Sequence, residues 1–241
     1  LVYLTLILTK EFHVGTLYVI GTPIGNLNDV STRMIEVLNQ VHAVACEDTR
    51  TTGFLMHHLG IKKQMVSFHA HNEHQRINQI MNWLQSGSDV ALVSDAGMPG
   101  ISDPGFLAVR QAHLLGIPIS VIPGPSAAIV ALAASGLPSD RFCFEGFLPQ
   151  KKGRKSKLEA LKSEDRTMIF FESPFRIVKL LKECVIHFGP DRLACFGREL
   201  TKKFEENRRD TLQQLLQELE ARPAIKGEFV LVVAGNTYQD P

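Results

Sequence analysis

The chain has 241 residues, 44% of them hydrophobic and 21% charged, with 26 Lys and Arg against 25 Asp and Glu for a formal net charge of +1. This composition excludes disorder and suits a globular chain that buries one large core or two modest ones. The near-neutral balance also excludes a global field for polyanions, so any nucleic-acid contact has to come from a local basic patch.

The opening stretch Leu1 to Leu8 is apolar but short, has no basic region before it and is followed by Lys10 and Glu11. It is expected to be neither a signal peptide nor a membrane span, and no membrane partner is expected. Strand patterns then fall at 16 to 21, 42 to 46, 64 to 68, 89 to 94 and 118 to 122. Helix patterns run between them through Ser31 to Gln40, Thr51 to Leu59, Glu73 to Gln85 and Gly105 to Leu115. Such alternation predicts a mainly parallel sheet with helices on its faces. In the first helix Ser31 is placed to cap, with Met34, Ile35 and Leu38 as the buried stripe.

The rhythm changes at Pro123 to Pro125, the expected hinge between an α/β domain over 14–122 and a second α/β domain over 126–236. A small-residue helix from Ser126 to Ser135 leads into strands at 141 to 146, 167 to 172, 192 to 198, 203 to 209 and 227 to 234. Helices are expected near 154 to 162, 174 to 187 and 211 to 221. The closely spaced strands around Thr201 predict a hairpin, hence a mixed sheet. Cys46, Cys143, Cys184 and Cys195 are widely spaced without a CxxC pair and read as reduced, mostly buried thiols of a cytoplasmic protein.

Three loops rich in Gly and Pro follow three apolar strands: Gly21 to Asn26, Ser94 to Gly105, and Pro123 to Ala127. One alone would be a tight turn; three at the carboxyl ends of one sheet predict walls of a small-molecule site. In the longest, Asp95 and Asp103 supply acceptors, although Asp95 could instead cap its own loop. The first loop lacks the dinucleotide G-x-G-x-x-G spacing, and no P-loop occurs.

Several polar groups carry two readings each. Glu47, Asp48 and Arg50 combine acceptors with a phosphate-binding guanidinium, or form a pair that caps the next helix. Arg198, Glu199 and Lys202 face a ligand or brace the hairpin. His69, His71 and His74 lack an accompanying acidic or cysteine ligand set, so no metal is expected; His69 and Asn72 are expected mainly to orient their loop. Glu172 and Ser173 end a strand and could touch a ligand. Lys151 to Lys157 holds five cations in seven residues after the aromatic segment Phe142 to Phe147, which favours contact with RNA phosphates over a solvated turn.

Taken in order, Gly21-Thr-Pro-Ile-Gly-Asn26, Cys46-Glu-Asp-Thr-Arg50, Ser67-Phe-His-Ala-His-Asn-Glu73, the Asp95 loop, Pro123-Gly-Pro-Ser-Ala127, Phe144-Glu-Gly-Phe-Leu-Pro149, Phe171-Glu-Ser-Pro174 and Arg198-Glu-Leu-Thr-Lys202 resemble the tetrapyrrole methylase superfamily. The resemblance is to its branch of small-subunit ribosomal RNA 2′-O-methyltransferases and runs from about Gly15 to Gly235. Two positions depart: Gly21 stands where Ala is expected and Met98 where Thr is expected.

The resemblance implies two α/β domains with S-adenosylmethionine in a cleft between them, and S-adenosylhomocysteine as product. Pro23, Ile24 and Gly25 would line one wall; Asp95, Gly97, Met98 and Ile101 would contact the nucleoside and methionine parts; Ser126 and Ala127 would close the site. Glu47, Asp48 and Arg50 would serve catalysis, and Lys151, Lys152, Arg154, Lys155, Arg198 and Lys202 would hold RNA. The implied reaction is 2′-O-methylation of a cytidine ribose in 16S rRNA, naked or in the small ribosomal subunit, by a homodimer. Two alternatives stay open: methylation of a corrin or porphyrin precursor, against which the basic run weighs, and a non-catalytic RNA-binding assembly protein.

Overall fold

The computed structural model describes residues 13–240; the opening Leu1 to Leu8 lies outside them. The chain divides into two compact units, one of residues up to Pro23 with Leu27–Gly124, the other of Ile24–Asn26 with the residues from Pro125 onward.

The first unit holds β1 (Leu17–Ile20), α1 (Thr32–Gln40), β2 (Ala43–Cys46), α2 (Thr49–His58), β3 (Gln64–Ser67), α3 (Glu73–Gln85), β4 (Val90–Val93), α4 (Phe106–Leu114) and β5 (Ile119–Ile122). Its five strands are all parallel, in the order β3-β2-β4-β1-β5. Alternate residues feed opposite faces. Ile20, Val44, Cys46 and Val93 pack against Met34 and Leu38 of α1 and Leu55 and Met56 of α2. Leu17, Val19, Ala45 and Leu92 pack against Ile80 and Leu84 of α3 and Ala108 and Ala112 of α4. Ser31 caps α1 by accepting the Met34 N–H at 3.1 Å. The buried stripe is Met34, Val37 and Leu38, with Ile35 only at its margin.

The second unit holds α5 (Ala127–Ser135), β6 (Phe142–Phe147), α6 (Arg154–Leu161), β7 (Thr167–Glu172), α7 (Ile177–Phe188), β8 (Leu193–Arg198), β9 (Glu206–Thr211), α8 (Leu212–Glu220) and β10 (Phe229–Val233). Its sheet, ordered β6-β7-β10-β8-β9, is mixed: only β6 and β7 run parallel. Leucines of α6, α7 and α8 cover one face around Phe170, Phe196 and Leu231. On the other face Ala128 and Ala131 of α5 lie over Ile169, Val230 and Val232, where the short side chains permit a close approach.

Two elements start three residues later than the sequence pattern predicts, and other ends shift by one or two. Strand β9 begins at Glu206 rather than 203, because the β8–β9 turn uses left-handed Glu199 and Thr201 and is closed by Glu205, which accepts the Thr201 N–H at 2.6 Å. Helix α7 begins at Ile177 rather than 174, because Pro174, Phe175 and Arg176 form a turn. All four cysteines are free, and burial pushes the Cys46 thiol up to about 11, far from reactive at neutral pH. Among the described residues no helix is long and apolar enough to cross a membrane.

Candidate active site

Strands β2 and β4 are neighbours, with Cys46 opposite Val93 at their carboxyl ends. The chain leaves them in opposite directions, from β2 through α2 to the edge strand β3 and from β4 through α4 to β5 at the other edge. A crevice opens where connections diverge in this way, and ligands of open α/β sheets bind in it. The residues at its mouth are Glu47 and Asp48 on one side and Ser94 and Asp95 on the other.

Asp95 joins the two sides. Its carboxylate accepts the Asp48 backbone N–H at 3.0 Å, bridging to the neighbouring loop rather than capping its own. Asp103 returns to the same place from the far end of its loop. Burial, and then the Glu47 charge, push its pKa up to about 6, with a side-chain hydrogen bond from Ser94 offsetting part of the rise. Glu47 is raised by burial and by the Asp95 charge, and Asp95 chiefly by burial. Three carboxyl groups thus gather at the crevice, each less acidic than in water.

Asp48 behaves differently. It caps α2, accepting the Arg50 N–H at 2.8 Å, and pairs with the Arg50 side chain at 2.6 Å. Those hydrogen bonds draw its pKa down to about 2. So weak a base accepts few protons at neutral pH. Of the expected catalytic trio, Asp48 and Arg50 are engaged with each other at the start of α2, which leaves Glu47 and Asp103 as the carboxyl groups here that hold a proton more readily than in water. Asp103 went unassigned on sequence, although it stands in the same Gly/Pro loop as Asp95; its return to the β4 end depends on the turn at Pro104 and Gly105, where the Pro104 carbonyl accepts the Gly100 N–H at 3.1 Å.

Asp103 gives a pH prediction. Its folded pKa of about 6 lies above the ordinary 3.8, so the folded chain holds the extra proton between those values. The penalty for burying the charge is complete above pH 6 and relieved as pH falls toward 4. Asp103→Asn is therefore expected to stabilise the chain by about 1 to 3 kcal/mol at pH 7.5 and by little at pH 4. Urea denaturation at both pH values checks this; equal stability of the two chains at pH 7.5 would rule out the strained carboxylate.

Gly97 binds the Asp95 loop to the first loop. Its N–H donates to the Thr22 carbonyl at 3.1 Å and its carbonyl accepts the Thr22 N–H at 2.9 Å, so it shapes the site rather than offering free backbone groups. Gly21 is a point of close approach: a Cβ there would meet Met98 Sδ at 2.5 Å and the Gly124 backbone at 2.7 Å. Met98 is partly buried on the β4 side, while Ile101 is 47% exposed and free to meet a ligand. Asn72 orients its loop as expected, accepting the His69 N–H at 2.8 Å and donating to the Ser67 carbonyl at 3.1 Å.

In the second unit several expected contacts are committed elsewhere. Ile24 is buried among Ala128, Leu132 and Leu200 and cannot line a ligand wall; the 24–26 segment belongs to this core because of it. Pro23 is also buried, and Gly25 is needed for space, since a Cβ there would meet Thr201 Oγ1 at 2.9 Å. Ser126 precedes α5 without a side-chain cap bond, and Ala127 packs at the edge of the α5 core.

The expected RNA contacts divide. Lys151, Lys152 and Lys155 are exposed. Arg154 is 5% exposed and bonded to Glu183 at 2.7 Å and the Pro149 carbonyl at 3.3 Å, with Glu172 at 3.7 Å, so it is a buried tie and no phosphate ligand. Glu172 is equally committed, accepting the Arg176 Nε–H at 2.8 Å and the Ser173 N–H at 2.9 Å, which removes it from ligand contact. Arg198 pairs with Glu206 at 2.8 Å and Lys202 with Glu199 and Glu228 at 2.9 and 2.7 Å, so both brace the β8–β9 hairpin.

The family described as Tetrapyrrole (Corrin/Porphyrin) Methylases matches residues 16–216. The chain is 48% identical over 228 residues to a protein of Haemophilus influenzae named ribosomal RNA small subunit methyltransferase I, covering 94% of this chain and 81% of that one. It is 49% identical over 223 residues to a Pseudomonas aeruginosa protein of the same name, covering 92% and 79%. Among solved structures it is similar to the methyltransferase CobJ, with a TM-score of 0.70 at 20% identity over 94% of this chain and 97% of that chain, a likeness of fold.

Proposed function

The chain belongs to the tetrapyrrole (corrin/porphyrin) methylase family, and we propose that it is an S-adenosylmethionine-dependent methyltransferase acting on the 2′-oxygen of a cytidine ribose in 16S rRNA of the small subunit, with S-adenosylhomocysteine as product. One observation carries the substrate: 48% identity across 94% of the chain with a protein named for small-subunit ribosomal RNA methylation. The likeness to CobJ, at 20% identity, speaks for the fold and not for a tetrapyrrole substrate. The homodimer and the cytoplasmic location belong to the same proposal.

Bound S-adenosylmethionine supplies an electrophilic methyl group on a cationic sulfonium. The donor set at the crevice suits it: Glu47, Asp95 and Asp103 are gathered carboxyl groups, each raised by burial first and by neighbouring negative charge as well, and a cation beside them relieves that cost. In this reading Asp95 anchors the cofactor, Met98 and Ile101 give it apolar contact, and Gly97 holds the loop in shape. Glu47 and Asp103 take the proton that the 2′-hydroxyl must shed, since a carboxylate titrating nearer neutrality accepts a proton better than an ordinary one. Positioning carries much of the remaining barrier.

Labelled methyl transfer to small subunits, naked rRNA and tetrapyrrole precursors, run side by side, tests the proposal. The expected label is in rRNA, within a dinucleotide that resists alkali because its 2′-oxygen is methylated. Label in a precursor alone would transfer the chain to the corrin and porphyrin enzymes. Cofactor binding without transfer to any of the three would mark a non-catalytic protein.

A further inference from the structure

The second unit places aromatic rings and cations at one end of one strand pair. Because β6 and β7 are parallel with Phe147 opposite Phe171, the segments after both strands leave from the same end of the sheet. The segment after β6 carries exposed Lys151, Lys152 and Lys155. The turn after β7 carries Phe175, which is 94% exposed. Phe147 is itself 54% exposed while its ring packs edge-on against Phe171 at 5.6 Å. Arg154 fixes the two segments together through the Pro149 carbonyl on one side and Glu172 on the other, and Glu172 in turn holds Arg176.

A phenylalanine left in water gains nothing for folding. Exposed rings beside exposed lysines are the composition of surfaces that bind single-stranded nucleic acid, where rings stack on bases and cations take phosphates. Protein-binding patches share the aromatics but are depleted in lysine. Duplex RNA keeps its bases stacked inside, so a protruding ring finds no face to cover. We infer that Phe147 and Phe175 form a stacking platform for unpaired nucleotides of the RNA, with Lys151, Lys152 and Lys155 on the adjoining phosphates. The inference rests on the proposed rRNA substrate and adds to it the form in which the RNA is held: single-stranded at this surface.

The test uses the full chain and fluorescence anisotropy with a short unstructured RNA and a duplex of matched length, at several salt concentrations. Phe175→Ala and Phe147→Ala are each expected to weaken single-strand binding about 5- to 100-fold, with the salt slope and duplex binding unchanged. Phe175→Tyr, which keeps the ring face, should bind as the wild type does, while the melting temperature of Phe175→Ala, unchanged for a side chain 94% exposed, sets a structural loss aside. Replacing the three lysines with Ala should lower the slope by about 0.7 per lost phosphate contact. Phe147 has a packing partner, so melting temperatures accompany each measurement; Phe175, nearly bare, is the decisive variant.

Wild-type single-strand affinity in Phe175→Ala, or equal losses on duplex, would overturn the platform. Binding to intact subunits without binding to either RNA would overturn it in favour of a protein contact. Methyl transfer to rRNA is measured in parallel with the wild-type chain. Its presence alongside unaltered Phe175→Ala binding would sink only the platform, whereas its absence would sink the substrate assignment.

Discussion

Arg154→Ala is expected to destabilise the chain by about 3 to 5 kcal/mol, the usual result of removing one partner from a buried ion pair. Glu172 is 1% exposed at its side chain and would keep Arg176 and the Ser173 N–H, while Glu183 would lose its 2.7 Å partner and keep Lys179 only at 4.0 Å. The deficit arises from carboxylates left without compensation more than from any intrinsic strength of the pair. Urea denaturation measures it, and Lys151→Ala, at an exposed neighbouring position, should stay within about 0.5 kcal/mol of the parent. An equally small loss in Arg154→Ala would mean that the network is solvated and that Arg154 is available to RNA after all.

Asp95→Ala should weaken S-adenosylmethionine about 10- to 100-fold, the range for losing a hydrogen bond to a charged group. Two losses combine: the proposed anchor for the cofactor and the bridge to the Asp48 N–H that sets the spacing of the β2 and β4 loops. Thermal stability should not fall in step, because removing a carboxylate also relieves its neighbours Glu47 and Asp103. Calorimetry with the cofactor, beside a melting curve, separates these effects. Unchanged affinity would move the cofactor away from this crevice.

The fold was readable because local pattern and tertiary environment agree. Strands such as Val90–Val93 are short continuous apolar runs, as buried parallel strands must be, and each is closed by Gly and Pro. The cap of α1 was readable for the same reason, since Ser31 sits immediately before its helix with an oxygen to offer, whereas Asp48 stayed open between cap and catalysis because α2 begins two residues before its pattern does. What sequence could not supply was the partner of each charge. Lys151 and Arg154 stand three residues apart in one basic run, yet one is solvated and the other buried, because only the second meets carboxylates from β7 and α7. The partners of Arg198 and Lys202 were hidden in the same way, since Glu206 and Glu228 come from beyond the hairpin turn. Asp103 escaped assignment because its relation to Glu47 spans 56 residues, the difference of the two numbers, and no periodicity encodes it.

The crowding at Gly21 bears on how closely two of the strand-end loops can approach. The thioether of Met98 and the backbone of Gly124 both occupy the space that a methyl group on residue 21 would need, so Gly21→Ala has to displace main chain as well as a side chain. Neighbours in contact do not vary independently. Shortening Met98 alone would therefore leave Gly21→Ala still blocked by the Gly124 backbone, which cannot swing aside as a thioether can.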